Sequence, residues 1–418
     1  MRYICDEGCV CVGVCVCVCV HIVIYCIVVY MYVAQFVCTE RQNMKFNSSL
    51  IMSYHYYYSL AIIIIVLSNV VKNNGNKLIN TPPPPPSIKD FPFYFDVGRI
   101  NQTTLKNNVP RVLLQKIFEC PHPCGLLPQI RRDKKTGLKT VVNGGIPQLV
   151  NLTLHFDTMQ DTFNKYIPNL NDNRMIDLDF ESWSPLWYGM THNSIMKDYV
   201  NASIALVQKE YPSWTNMTQI EAEAEKEWNI AAKSLLIKTI QFVRKIRPKL
   251  IIGLYSYPGR FYYQWENKTI ADGIRKRNDE LYPIWCHLDV LFPSVYQFYN
   301  SCQMGDKVKK ANQNYVYNNV VEAVRIANDI PNKCNNDANN NNHNNIKRKP
   351  PPVLPYTWNR YHNNNQLVCD TDEEMYWKQS YLAGANGIVM WGYEPNGNTT
   401  FINWYENNFT NIVNSWKV

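Results

Sequence analysis

The residues best suited to chemistry form the run Asp177-Leu-Asp179-Phe-Glu181-Ser-Trp183, three carboxylates spaced two apart at the end of an apolar stretch beginning at Met175. In a strand, that spacing puts all three side chains on one face, and in a barrel such a face points inward. Like charges packed into a partly dry site force at least one carboxyl to keep its proton near neutral pH. A general acid that protonates a glycosidic oxygen needs that property. The alternative is a structural cluster of acids satisfied by arginines or backbone amides. Glu181 falls at the C-terminal end of the predicted strand, the end at which β/α barrels carry their active sites.

Three aromatic residues, Tyr255, Tyr296 and Trp391, each end a predicted strand of their own. On a barrel they converge at the mouth that holds Glu181, where rings stack on sugar faces and hydroxyls donate hydrogen bonds. No His or Cys pair with ligand spacing accompanies the acids, and Cys120-Pro-His-Pro-Cys124 stands isolated. Neither a metal nor a cofactor is therefore expected.

These residues need a scaffold of alternating strands and helices. Phe91–Asp96, Met175–Phe180, Leu250–Tyr255, Val290–Tyr296, Val353–Tyr356 and Gly387–Trp391 read as strands. Ile220–Ile246, Val308–Ile330 and Asp372–Ala385 carry apolar residues at helical spacing, the first with glutamates early and Lys245, Arg247 and Lys249 late, as the helix dipole favours. Strands separated by helices imply parallel pairing, and over roughly 330 residues an α/β fold of the (β/α) TIM-like barrel type, as a single catalytic domain, is the economical solution.

The chain of 418 residues is long enough for such a domain. Its net charge of +8 favours a polyanionic partner, but the basic residues are scattered and no nucleic-acid fold signature accompanies them, so nucleic-acid binding is not expected. Eight of the 14 cysteines precede residue 40, leaving Cys120, Cys124, Cys286, Cys302, Cys334 and Cys369 for the folded part. Six cysteines in an exported domain allow three bridges and about 15 pairings, among which sequence cannot choose. Sequons at Asn101, Asn151, Asn201, Asn216, Asn267, Asn398 and Asn408 are glycosylation candidates and fit export.

Residues 1–43 form a low-complexity apolar segment in which Val10–Val37 is long enough to span a bilayer. It reads either as an anchor or as translated DNA upstream of the true start, because the Cys-Val alternation over 15–20 is what a repeated TG dinucleotide encodes. Residues 44–70 hold an apolar run, Ser59–Ser68, of signal-peptide length, and 71–87 an Asn/Pro-rich linker, so folded sequence is expected over 88–418. The Asn-rich tract and the following prolines, about 333–352, read as a disordered insertion. A secreted or lysosomal location is expected, with membrane anchoring through the N-terminal segment as the alternative.

Six collinear motifs carry a resemblance. Asn143-Gly-Gly-Ile-Pro-Gln148, Asp179-Phe-Glu-Ser-Trp183-Ser-Pro-Leu-Trp187, Gly253-Leu-Tyr-Ser-Tyr-Pro258, Leu291-Phe-Pro-Ser-Val-Tyr296, Val353-Leu-Pro-Tyr356 and Gly387-Ile-Val-Met-Trp-Gly392 resemble, in order, the hyaluronidase family of glycoside hydrolases. The resemblance implies a distorted barrel that hydrolyses β-1,4 bonds of hyaluronan, with chondroitin as a possible second substrate, by a retaining mechanism in which the substrate's own acetamido oxygen is the nucleophile. It makes Glu181 the acid and then the base, Asp179 the residue that orients the acetamido group, and Tyr255, Tyr296 and Trp391 the walls of the sugar pocket. Asp177 gains no role from it. A monomer acting on a glycosaminoglycan is the expected assembly.

The sequence also departs from the family pattern. Ser184 stands where an arginine is usual, which weakens contact with an anionic uronate. Arg260 stands where a cysteine is expected, so the family's two barrel disulfides are missing and the six cysteines must pair otherwise. Two rival readings follow. A chitinase-like hydrolase would use the Asp177, Asp179, Glu181 spacing, and a catalytically silent glycan-binding barrel would accommodate the departures.

Overall fold

In the computed structural model, the described residues are 91–96, 118–119, 124–133, 135–334 and 348–392. The proposed anchor, signal and linker segments (1–43, 44–70 and 71–87) lie outside them. Among the described residues no helix is long and apolar enough to cross a membrane.

The strands are β1 (Phe93–Asp96), β2 (Phe118–Glu119), β3 (Gln129–Arg132), β4 (Lys139–Val142), β5 (Met175–Leu178), β6 (Ile251–Leu254), β7 (Tyr356–Trp358) and β8 (Ile388–Trp391). The helices are α1 (Leu152–Tyr166), α2 (Trp187–Thr191), α3 (Lys197–Glu210), α4 (Met217–Ile246), α5 (Lys268–Asp279), α6 (Tyr282–Trp285), α7 (Ser301–Met304), α8 (Asp306–Cys334) and α9 (Asp370–Leu382). Parallel pairing runs β2-β5-β6 and β1-β8-β7. The segment 290–296 joins the two sets through bridges Tyr255–Phe292, Leu291–Val353 and Ser294–Tyr356. The result is the parallel, helix-wrapped wall of a distorted TIM-like barrel. An antiparallel hairpin, β3-β4, turns through Asp133–Gly137 beside it.

Two cores divide the work. The larger lies between wall and helices. The smaller fills the barrel with Met175, Val290, Phe292, Tyr296, Leu354, Tyr356 and Val389, with Tyr255, Trp358 and Trp391 packed on it. β5 is buried at all four positions, as a strand covered on both faces must be. Its neighbour Gly253 allows this filling, since a Cβ there would come within 2.3 Å of the Phe292 ring.

Several predicted boundaries shift for physical reasons. Segment 290–296 makes isolated bridges and no regular strand, because Pro293 lacks the N–H that a ladder requires. The strand expected at Val353–Tyr356 begins only at Tyr356, after Pro355. Helix α4 starts at Met217 rather than Ile220, because the Asn216 side chain accepts from Thr218 N and Gln219 N as its N-cap. Its buried positions then recur at helical spacing from Ile220 through Trp228 to Val243. Sequence reasoning passed over β2, the β3-β4 hairpin, α1 and α3.

Both ends of the stretch 333–352, read above as an insertion, lie among the described residues. Lys333 and Cys334 close α8, and Cys334 is bridged to Cys286. At the other end Arg348 donates to the carbonyls of Cys286 and Leu288, and Leu291 N donates to Pro352 O at 3.0 Å. Within that stretch, residues 335–347 lie outside the described residues. A second disulfide joins Cys302 to Cys369, and Cys124 is also disulfide-bonded.

Candidate active site

The regular part of β5 ends at Leu178, so only Asp177 of the three acids occupies a strand position, and the expected common strand face holds for it alone. Asp177 is buried, with 2% exposure. Asp179 is half-buried and Glu181 exposed on the loop that leaves the C-terminal end of β5. Burial thus separates an interior acid from two that can meet a ligand.

That loop is clamped by tryptophans. Trp183 is buried and its indole N–H donates to Pro128 O at 2.9 Å. Trp228 of α4 lies 6.0 Å from both Trp183 and Trp187, and donates to Ser184 O at 2.9 Å. Trp187 N donates to Asn229 Oδ1 at 2.7 Å. The Ser184 hydroxyl accepts from Leu186 N and fills the space over Gly189, where a Cβ would come within 2.4 Å of it. The acidic pair is therefore held between a strand end and a rigid aromatic block.

The neighbouring motif Asn143–Gln148 serves the scaffold. Asn143 donates to Leu126 O at 2.6 Å and accepts from Asn151 N at 2.9 Å. Gly144, at φ +83°, brings its Cα so close to Leu149 O that no side chain fits.

The three aromatic residues singled out above come together. Tyr255 follows β6, Trp391 ends β8, and Tyr296 lies 6.0 Å from each ring. Trp358, at the end of β7, fits between Tyr296 at 5.6 Å and Trp391 at 5.2 Å. Tyr356 lies 5.1 Å from Tyr255. Sequence reasoning missed Trp358; its signal was the pair Tyr356 and Trp358 at period two beyond Pro355.

Electrostatics tie the acids to the rings. Burial pushes the Tyr255 phenol well above its ordinary range, and the charge of Glu181 adds to that rise. Tyr257 is raised in the same way, by burial first and Glu181 second. Both phenols therefore stay protonated near neutral pH. The Tyr255 hydroxyl donates to Ser294 Oγ at 3.3 Å. Among the described residues no group of three or more His, Cys, Asp and Glu side chains has the arrangement to hold a metal.

Comparison with known proteins places this geometry. The sequence profile described as hyaluronidase matches residues 120–401, more than half of the chain. The chain belongs to the hyaluronidase family. It is thus a member of a family of glycosidases. Hyaluronidase B of Vespa velutina is 30% identical over 261 residues, covering 62% of this chain and 71% of that one. Human hyaluronidase PH-20 is 31% identical over 274 residues, covering 64% of this chain and 48% of its own length. Bee venom hyaluronidase, solved in complex with a hyaluronic acid tetramer, superposes with a TM-score of 0.64 at 24% identity over 77% of this chain and 98% of that one. The shared barrel is the expected fold.

Of the sequon asparagines, Asn151, Asn201, Asn216 and Asn267 are exposed. Asn151, Asn216 and Asn267 are also helix N-caps, each accepting a backbone N–H with its side-chain oxygen. Asn101, Asn398 and Asn408 lie outside the described residues.

Proposed function

We propose that this member of the hyaluronidase family cleaves the β-1,4 bond between N-acetylhexosamine and uronic acid in hyaluronan, with chondroitin as the second candidate polymer. The observation that carries the reading is the placement of Asp179 and Glu181 on a clamped loop at a barrel strand end, with Glu181's charge acting on Tyr255 beside the Tyr296, Trp358 and Trp391 rings.

In the proposed cycle Glu181 gives its proton to the glycosidic oxygen as the C1–O bond breaks. The carbonyl oxygen of the sugar's own acetamido group bonds to C1 from the opposite face. Asp179 accepts the acetamido N–H, which aligns the group and makes its oxygen more nucleophilic. The leaving chain departs, Glu181 then takes a proton from water, and that water opens the cyclic intermediate at C1 with net retention. Tyr255 donates from its neutral hydroxyl, and Trp391 and Tyr296 stack on the sugar. Buried Asp177 stays a structural acid.

The bridges Cys286–Cys334 and Cys302–Cys369, the disulfide-bonded Cys124 and four exposed sequon asparagines support an exported, glycosylated protein. The net charge of +8 supports a polyanionic substrate.

The test is expression of the full chain through a secretory pathway, comparing wild type with Glu181→Gln on hyaluronan, chondroitin and chitin oligomers. The proposal expects hyaluronan cleavage by wild type and a loss of roughly 10²–10⁴-fold in the variant, the usual weight of a general acid-base. Polymer binding without wild-type turnover would leave a silent glycan-binding barrel, and cleavage of chitin alone a chitinase-like enzyme.

A further inference from the structure

Arg260 is an unusual cation for its surroundings. It is only partly exposed, and no Asp or Glu forms an ion pair with it among the described residues. Of the other buried or partly buried arginines, Arg244 is paired with Asp289 and Arg325 with Asp279, Glu322 and Asp329, while Arg247 and Arg348 give their N–H groups to backbone carbonyls and Asn164 Oδ1. A guanidinium cannot shed its charge, and desolvating it without an anion is costly.

Its position is fixed. Nη1 donates to Ser294 Oγ at 3.2 Å, the same fully buried oxygen that accepts from the Tyr255 hydroxyl at 3.3 Å. The guanidinium carbon lies 5.1 Å over the ring of Tyr262, which is 49% exposed and held at φ +49°. The hydroxyl of Tyr315 is a further neighbour. Hydroxyls and an aromatic face solvate the cation in part, and supply no countercharge.

Through Ser294 the guanidinium is one residue removed from Tyr255, and Tyr255 senses Glu181. Arg260 and Tyr255 thus share Ser294 Oγ as acceptor, at 3.2 and 3.3 Å, which puts the guanidinium beside a wall of the proposed sugar pocket. In a polymer that alternates N-acetylhexosamine with uronic acid, the sugar next to the reacting one always carries a carboxylate. The remaining N–H donors of the planar fork match a carboxylate's two oxygens. Ser184, by contrast, spends its hydroxyl on Leu186 N and offers no charge.

We propose that Arg260 binds the carboxylate of the uronic acid adjacent to the reacting N-acetylhexosamine, and so selects a uronate-bearing polymer over a neutral one. This rests on the function proposed above, and its test can be read independently of turnover. The competing role, a brace that merely positions Tyr255 through Ser294, would affect charged and neutral ligands alike.

The experiment is calorimetric titration of the full-length Glu181→Gln protein with a hyaluronan oligosaccharide and with the same oligosaccharide after reduction of its carboxylates to alcohols. With Arg260 intact, the native ligand binds about tenfold tighter or more, the range of a charge-assisted bidentate contact. Adding Arg260→Gln removes most of that ratio by weakening the native ligand and leaving the reduced one within about twofold. Arg260→Lys retains part of it. Equal binding of the two ligands with Arg260 intact overturns the proposal without any substitution at that position, and equal loss of both in Arg260→Gln assigns the brace instead. Failure of wild type to cleave hyaluronan would sink the catalytic reading while the two titrations still decide Arg260.

Discussion

Tyr296 and Trp391 stack with ring centroids 6.0 Å apart and planes inclined by 24°, although they come from separate parallel segments of the barrel wall. Trp358 packs edge-on to Trp391 at 5.2 Å and backs the stack. Trp391 is partly exposed and Tyr296 is buried, with 6% exposure, so the stack is one aromatic surface that a ligand meets through Trp391.

Removing half of that surface should cost binding more than chemistry. Trp391→Ala is expected to raise KM for hyaluronan oligosaccharides about tenfold, corresponding to roughly 1–2 kcal/mol of lost ring contact, while Trp391→Phe keeps most of it. Steady-state kinetics on the two variants measure this. A kcat collapse at unchanged KM would place Trp391 elsewhere in the cycle.

Tyr255→Phe removes a donor and little else. The ring keeps its packing against Tyr356 at 5.1 Å and Tyr296 at 6.0 Å, so thermal stability should change little. The lost hydroxyl should lower kcat/KM by roughly ten- to a hundredfold, in the lower range for a single positioned donor. An unchanged kcat/KM would show that the hydroxyl serves only Ser294.

How far the sequence disclosed this arrangement depends on the kind of information. Apolar runs located β1, β5, β6 and β8 to within a few residues, because burial on both faces leaves a continuous hydrophobic signature. Proline chemistry then moved the edges, at Pro293 and Pro355. Asn216 shows how one cap displaces a helix start by three residues against the periodicity. Period two grouped Asp177, Asp179 and Glu181, yet it could not say that the strand stops at Leu178 and leaves two of them on a loop. The pairs Cys286–Cys334 and Cys302–Cys369, and the approach of Arg260 to Ser294, depend on tertiary distances that no local pattern encodes.

Stability should fall toward alkaline pH. Glu373 in the first turn of α9 is fully buried, and burial, with Asp370 and Asp372 nearby, pushes its carboxyl up to about 8. A carboxyl raised in the folded state above its ordinary range contributes stability that is complete below the unfolded value and disappears as pH climbs through the folded one. The melting temperature should therefore decline between about pH 5 and pH 9. Glu373→Gln, which cannot ionise, should flatten that decline. Parallel profiles for the two proteins by calorimetry would remove Glu373 as its cause.

The bridge between Cys286 and Cys334 spans 48 residues and ties the segment after α6 to the end of α8. Replacing both cysteines by serine should cost roughly 2–4 kcal/mol through the freed unfolded chain. Urea unfolding under non-reducing conditions reads this directly. The variant should still cleave hyaluronan when folded, since neither cysteine is near the acidic pair in the barrel order. No change in the urea midpoint would contradict the predicted constraint.

In the proposed cycle Glu181 and Asp179 act with the substrate's acetamido group as nucleophile. Proton NMR of the first products released from hyaluronan by the full-length protein tests it most directly, by recording the anomer at the new reducing end before mutarotation. Attack by the acetamido oxygen followed by water gives the β-anomer first, with retention of configuration. Release of the α-anomer would contradict it.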